Sequence, residues 1–175
     1  RSQGHVYLDG ISTTELKDSE LTHLRRTKVG FVFQFFQLLP TLSAVENVEL
    51  PLLLAGESRS RRRAQDVLDW VGVAELADRM PHQLSGGQMQ RVAIARAMVH
   101  SPKGLLADEP IGNLDSAAAE VVLQLLKRAA VEFGSTVLMA THSNESLAFC
   151  DRVIRLKDGH IESDRSEEHT SELQS

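Results

Sequence analysis

The second half of the chain alternates short apolar runs with helical periods, and that alternation restricts the fold more than any other feature. Leu105-Leu106-Ala107 reads as a strand, Ser116 to Phe133 as a long helix stopped at Gly134, and Thr136 to Ala140 as another strand. Strands joined through a helix pair in parallel, because the crossover returns the chain to the same end of the sheet. The handedness of such crossovers leaves few arrangements. A short helix over Asn144 to Phe149 and strands over Val153 to Leu156 and His160 to Glu162 follow, the last two joined by Asp158-Gly159.

The first half differs in character. His5 to Leu8 followed by Asp9-Gly10 predicts a strand and a hairpin turn. Ser19 is placed to cap a helix over Glu20 to Arg26, and Lys28 to Phe33 reads as a buried strand. Ser43 and Glu46 form a capping box for a helix through Leu50. Ser60 to Val71 carries Ala64, Val67, Leu68 and Val71 at helical spacing and ends at Gly72. Gln88 to His100 is a second strong helix before Ser101-Pro102. The middle, 41–82, is thus helical.

At 175 residues and 42% apolar, the chain is one domain's worth of material with a sizeable core. No apolar run approaches the roughly 20 residues of a membrane span. A net charge of -5 argues against a dedicated nucleic-acid binder. The lone Cys150 cannot form an internal disulfide, so a reducing cytosol is expected. Residues 165–175 have no apolar period and read as an in-frame translation of a common sequencing adapter. They are expected to be a non-native tail, and the absence of Met at position 1 suggests a gene fragment.

Three places carry chemistry. In Leu84-Ser85-Gly86-Gly87-Gln88, two glycines open a helix whose N-terminus attracts anions, and Ser85 adds a hydroxyl. Alone, this could be any glycine turn. Leu105-Leu106-Ala107-Asp108-Glu109-Pro110 is an apolar strand ending in two acids. The first is of the type that holds Mg²⁺, and the second can deprotonate a water for attack on a phosphoryl group. Strand ends also finish in acids for no catalytic reason. Gly112-Asn113-Leu114-Asp115 then turns into the next helix. His142 follows the strand ending at Ala140; a lone histidine there is more often a loop residue, but beside an acid pair it is a candidate transition-state contact.

Gln34, LSGGQ (84–88), LLADEP (105–110), Asn113-Leu114-Asp115 and His142 occur in the order of ATP-binding-cassette (ABC) transporter ATPases. They resemble that family's Q-loop, signature, Walker B, D-loop and switch histidine, and the resemblance covers 1–164. It implies an α/β fold: a P-loop NTPase-like core with a mostly parallel sheet, plus a helical subdomain at about 41–100. It implies ATP and Mg²⁺, with Asp108 and Gln34 at the metal, Glu109 polarising the attacking water, and Gln34 and His142 sensing the γ-phosphate. Ser85, Gly86, Gly87 and Gln88 would bind ATP held by a second copy, and Asp115 would line the contact within that homodimer. The segments 30–56 and 107–115 are similar to the ATPases serving macrolide-efflux and lipoprotein-release permeases, which have large extracytoplasmic domains. The implied place is the cytoplasmic face of the inner membrane, with no nucleic acid as partner.

The phosphate-gripping P-loop is expected before residue 1, together with the first strands and the residue that stacks on adenine, so the fragment alone is expected to be inactive. Gly104 stands where the Walker B strand usually has an aliphatic residue, and Ile111 where this subfamily usually has Thr. Arg59, Arg61, Arg62 and Arg63 oppose an apolar helix face and read as solvated. Phe33, Phe35 and Phe36 are core candidates, though Phe35, Leu38 and Leu39 could line a groove for a permease helix. A mechanotransmitting cassette of the cell-division type, acting on cell-wall hydrolases, is the alternative function. DNA-repair cassettes carry a long insertion between Q-loop and signature, which the compact 35–83 segment excludes.

Overall fold

A computed structural model describes residues 4–166. The chain divides after Thr141 into two compact units. In the first, Asp9 and Gly10 both take left-handed φ values, 52° and 75°, and close a hairpin of β1 (Tyr7–Leu8) and β2 (Ile11–Ser12). Helix α1 spans Asp18–Lys28 and is capped at Lys17, two residues before the expected Ser19. The Glu20 carboxylate accepts the Lys17 N–H at 2.8 Å, and Asp18 and Glu20 suit the positive end of the helix, so no serine cap is needed.

Three helices form the middle. Ser43 caps α2 (Ala44–Leu54) through the expected reciprocal bonds: Ser43 N–H donates to Glu46 at 2.7 Å, and Glu46 N–H to Ser43 Oγ at 3.4 Å. Buried Asn47 donates to the carbonyls of Leu39, Leu42 and Ser43 and accepts from Leu39 N–H, which fixes the approach to the helix. Helix α3 (Ser60–Trp70) buries Ala64 and Leu68 and ends before Gly72, whose φ is 72°. Helix α4 (Gly86–Met98) starts two residues earlier than its periodicity predicts and buries Val92, Ala93, Ile94 and Ala95. These helices pack on one another, and α4 packs on strand β3 (Val29–Phe33). A side chain at Gly30 would collide with the Ala97 carbonyl, so glycine is what lets α4 lie so close.

Strands β3, β4 (Gly104–Asp108) and β5 (Thr136–Ala140) form a parallel sheet in that order. Helix α5 (Ser116–Phe133) connects β4 to β5 and stops at Gly134, with φ 63°. It buries Val122, Leu123, Leu125 and Leu126 and packs on β5 and α4. Side chains alternate along a strand, so Gly30, Val32, Leu105 and Ala107 share the helix-covered face and are buried. Phe31, Leu106 and Leu138 stand in register on the other face and are exposed. The Lys28–Phe33 run therefore makes a strand covered on one face among the described residues. Gly104, in place of the usual aliphatic residue, pairs with Val29 and Thr136, and a Cβ there would sit 3.4 Å from Leu8.

The second unit begins at His142. Asn144–Phe149 is a 3₁₀ segment rather than a regular helix. Strands β6 (Arg152–Lys157) and β7 (His160–Ser166) form an antiparallel hairpin turned by Asp158 and Gly159, at φ 50° and 79°. The Arg152 guanidinium bonds both Asp164 oxygens, at 2.8 and 2.6 Å. Strand β7 outruns its expected end at Glu162, so Arg165 and Ser166 pair with Val153 and Arg152. The rest of the adapter-like tail lies outside the described residues. Among those described, no helix is long and apolar enough to cross a membrane.

Candidate functional site

Parallel strands deliver their carboxyl ends to one edge of a sheet, where α/β proteins bind ligands. The register aligns Phe33, Asp108 and Ala140, so Gln34, Glu109 and Thr141 leave the sheet side by side. Asp108 is exposed. Glu109 has φ 44°, a left-handed conformation that costs a residue with a Cβ about 1–3 kcal/mol. Its N–H donates to the Ala140 carbonyl at 2.9 Å, its carbonyl accepts from Gly112 at 3.1 Å, and its carboxylate accepts from the Thr141 hydroxyl at 3.2 Å. These bonds hold the carboxylate between the ends of β4 and β5.

The loop after Glu109 packs on Gln34. Asn113 Nδ2 donates to the Gln34 carbonyl at 3.3 Å, and a Cβ on Gly112 would sit 2.8 Å from Gln34 Nε2. Glycine at 112 leaves the room that the Gln34 side chain occupies. Ile111 is buried and contributes to the core.

Ser85 is the N-cap of α4. Its hydroxyl accepts the Gln88 N–H at 3.3 Å, and Gln88 Oε1 accepts the Ser85 N–H at 2.8 Å. The N–H groups of Gly86 and Gly87 head the helix without acceptors inside it, which makes an anion site chemically reasonable. The two glycines differ. A Cβ on Gly87 would lie 2.8 Å from the Ala118 Cβ, whereas one on Gly86 would meet only ordinary contacts, the nearest at 3.6 Å. Gly87→Ala therefore forces apart the starts of α4 and α5. Overpacking of about 1–3 kcal/mol, offset by up to about 1 kcal/mol of helix propensity, leaves it less stable. In thermal denaturation Gly87→Ala should melt below the unsubstituted protein, and Gly86→Ala should not.

Asp115 caps α5 by accepting the Ala118 N–H at 2.9 Å, a use of this side chain that the sequence reading did not assign. Two more residues were missed. Fully buried Gln90 donates through Nε2 to the carbonyls of Pro110 at 2.6 Å and Phe33 at 3.3 Å, the backbone neighbours of Glu109 and Gln34. Arg96 donates to the carbonyls of Phe36 and Gln37. Burial lowers its pKa from the ordinary arginine value. The available signal was the position of Gln90 and Arg96 beside the buried apolar run Val92 to Ala95 of α4. His142 opens the second unit and is exposed.

Around the Q-loop, Phe33 and Phe36 are half-buried, while Phe35 is 71% and Leu39 44% exposed, with Leu38 half-buried between them. In the basic run, Arg61 pairs with Glu49 and Asp78, and Arg63 with Glu57. Cys150 is half-buried and donates to the Ser146 carbonyl. Among the described residues no three His, Cys, Asp or Glu gather as a metal cage. Mg²⁺ takes one or two carboxylates and completes its shell with phosphate and water, and exposed Asp108 at the sheet edge is a carboxylate of that kind.

The sequence profile of the ABC transporter family matches residues 1–112. The chain belongs to the ABC transporter family. It is similar to the uncharacterized ABC transporter ATP-binding protein MJ0796 of Methanocaldococcus jannaschii, with 50% identity over 92% of this chain and 71% of that one. The lipoprotein-releasing system ATP-binding protein LolD of Hyphomonas neptunium is 45% identical over 90% of this chain and 70% of that one. The macrolide export ATP-binding/permease protein MacB of Syntrophobacter fumaroxidans is 46% identical over 92% of this chain and 23% of that one. A dimeric post-hydrolysis state of the MJ0796 cassette, bound to ADP and Pi, superposes with a TM-score of 0.82 at 46% identity, covering 94% of this chain and 74% of that one. The mixed α/β architecture with a parallel sheet is thus that of an ABC ATP-binding domain, as the motifs implied.

Proposed function

We propose that the protein is the ATP-hydrolysing subunit of an ABC transporter that drives a membrane permease by nucleotide-dependent dimerisation. The observation that carries this reading is the parallel register that brings Gln34, Asp108 and Glu109 to one sheet edge. Glu109 takes a proton from the attacking water; its carboxylate is already oriented by Thr141. Asp108 and Gln34 would hold Mg²⁺, which would supply charge neutralisation at the phosphates. His142 contacts the γ-phosphate. Residues 1–164 make up the cassette part, with the helical subdomain over about 41–100.

Ser85, Gly86, Gly87 and Gln88 act on ATP held by a second copy, with Asp115 at the contact between copies. That Gly86 has no internal steric requirement supports a ligand at this helix end. A two-fold, head-to-tail pair lets each signature close over the other copy's nucleotide. The MJ0796 cassette, likewise, has been solved as a dimer.

The relatives' names, lipoprotein release and macrolide export, favour a transporter over the cell-division alternative. The name of the MacB relative includes a permease, which supports a permease partner here; we take that partner to carry an extracytoplasmic domain and the protein to sit at the cytoplasmic face of the inner membrane. Exposed Phe35 and Leu39 follow Gln34 within five residues and offer that partner an apolar surface tied to the nucleotide site. In the protein expressed from its complete reading frame, Leu39→Glu should leave the fold and basal hydrolysis intact and abolish co-purification with the permease. Unchanged co-purification and transport would remove this surface from the account.

The polypeptide 1–175 contains no Gly-x-x-x-x-Gly-Lys-Ser/Thr. Phosphoryl transfer depends almost entirely on positioning the phosphates. Incubated with Mg-ATP, this polypeptide should release no phosphate above background. Turnover that disappears in Glu109→Gln would show that 1–175 positions phosphate by other means.

A further inference from the structure

The chain leaves β3 through a turn at Phe33–Gln37, in which the carbonyls of Phe33, Gln34, Phe36 and Gln37 accept from side chains between residues 90 and 113, while that of Phe35 accepts from the Gln37 N–H. Gln90 Nε2 donates to the Phe33 carbonyl at 3.3 Å, and Asn113 Nδ2 to that of Gln34 at 3.3 Å. Arg96 donates to the carbonyls of Phe36 at 3.0 Å and Gln37 at 2.5 Å. Phe36 and Gln37 stand consecutively at φ 58° and 48°, and neither is glycine. Two successive left-handed residues with Cβ atoms are strained, so the surroundings must impose the conformation. A planar guanidinium with several donors in a fixed fork can satisfy both carbonyls at once.

Arg96 is half-buried, and among the described residues it makes no ion pair with a carboxylate. Its donors therefore serve this turn. It also lies on α4, the helix that starts at the capped Ser85. At that start, a Cβ on Gly86 would be in contact with the Phe36 ring at 3.8 Å. One helix thus passes about a methyl group's width from the turn at its first residue and grips it near its last.

We propose that Arg96 is a positioning residue for hydrolysis, which fixes the Phe36–Gln37 turn and thereby holds Gln34 in register with the signature helix. This rests on the reading of Ser85–Gln88 and Gln34 as nucleotide-facing. Gln90 provides the second anchor, joining the same helix to the backbone on either side of the sheet edge. A shift at the start of α4 then reaches Gln34 through two side chains rather than through the loose length of the intervening chain.

The test uses the protein from its complete reading frame, with Arg96→Met and Arg96→Lys. Amide hydrogen exchange over 34–39 is measured beside that over 136–140, together with kcat, KM for ATP and thermal melting. In Arg96→Met, exchange over 34–39 should accelerate while β5 is unchanged, and kcat per folded molecule should fall at least about tenfold with KM moving far less. Arg96→Lys, which keeps the charge and loses the fork, should lie between. Wild-type kcat per folded molecule and unchanged exchange in Arg96→Met overturn the proposal. If Arg96→Met does not fold, Arg96→Lys decides by the same two readouts. Glu109→Gln is the control: if it retains wild-type turnover, the reading of the site fails and Arg96's role with it. A slowed Glu109→Gln beside an unaffected Arg96→Met overturns Arg96's role alone.

Discussion

Glu109→Gln, in the protein expressed from its complete reading frame, should lower ATP hydrolysis by about 10²–10⁴-fold, the usual worth of a positioned general base. The substitution is nearly isosteric and removes the proton acceptor without disturbing what orients it. The backbone bonds of residue 109 to Ala140 and Gly112 do not involve the side chain. A glutamine oxygen can still accept from the Thr141 hydroxyl. The left-handed φ of 44° is no harder for Gln than for Glu. Binding of ATP should therefore persist while phosphate release stops, read as nucleotide retention beside a steady-state rate. A rate within a few-fold of the unsubstituted protein would place the base elsewhere.

Ser85→Arg should have an equally large effect, by a different route. Ser85 is exposed and caps α4, immediately before Gly86 and Gly87, whose N–H groups have no acceptor inside the helix. On the proposed pairing, an arginine there puts a long side chain where the other copy's γ-phosphate would lie. Losing the cap itself costs about 0.5–2 kcal/mol. Ser85→Ala removes that cap without the bulk, so it separates the two effects. Ser85→Ala should still dimerise with ATP, and Ser85→Arg should not.

The sheet and its flanking helices were legible because their patterns are local. Thr136 to Ala140 and Ser116 to Phe133 were bounded by residues with clear preferences, Gly134 above all. The capping box at Ser43 and Glu46 was likewise written in two residues. What the sequence did not disclose depends on tertiary approach. Nothing in the residue types of Glu109, Phe36 or Gln37 foretells a positive φ; it goes with a bond from Glu109 N–H to the Ala140 carbonyl and with bonds from Arg96, partners distant in sequence. The register aligning Phe33 with Asp108 and Ala140 is a pairing property that periodicity cannot supply. Gly87 and Gly112 looked alike as turn glycines, yet one is needed for helix packing and the other makes room for Gln34. The 3₁₀ form of Asn144–Phe149 and the early start of α4 lie at element ends, where local preference is weakest.

Nucleotide-driven pairing of two copies is the central claim, and size-exclusion chromatography with light scattering on Glu109→Gln measures it directly. ATP bound between copies stabilises the pair by mass action, and without hydrolysis the pair should accumulate. The account predicts a monomer without nucleotide, a dimer at saturating ATP, and a monomer under both conditions when Ser85→Arg is added. A Glu109→Gln protein that binds ATP and stays monomeric, or a double variant that dimerises as well as the single one, would contradict it.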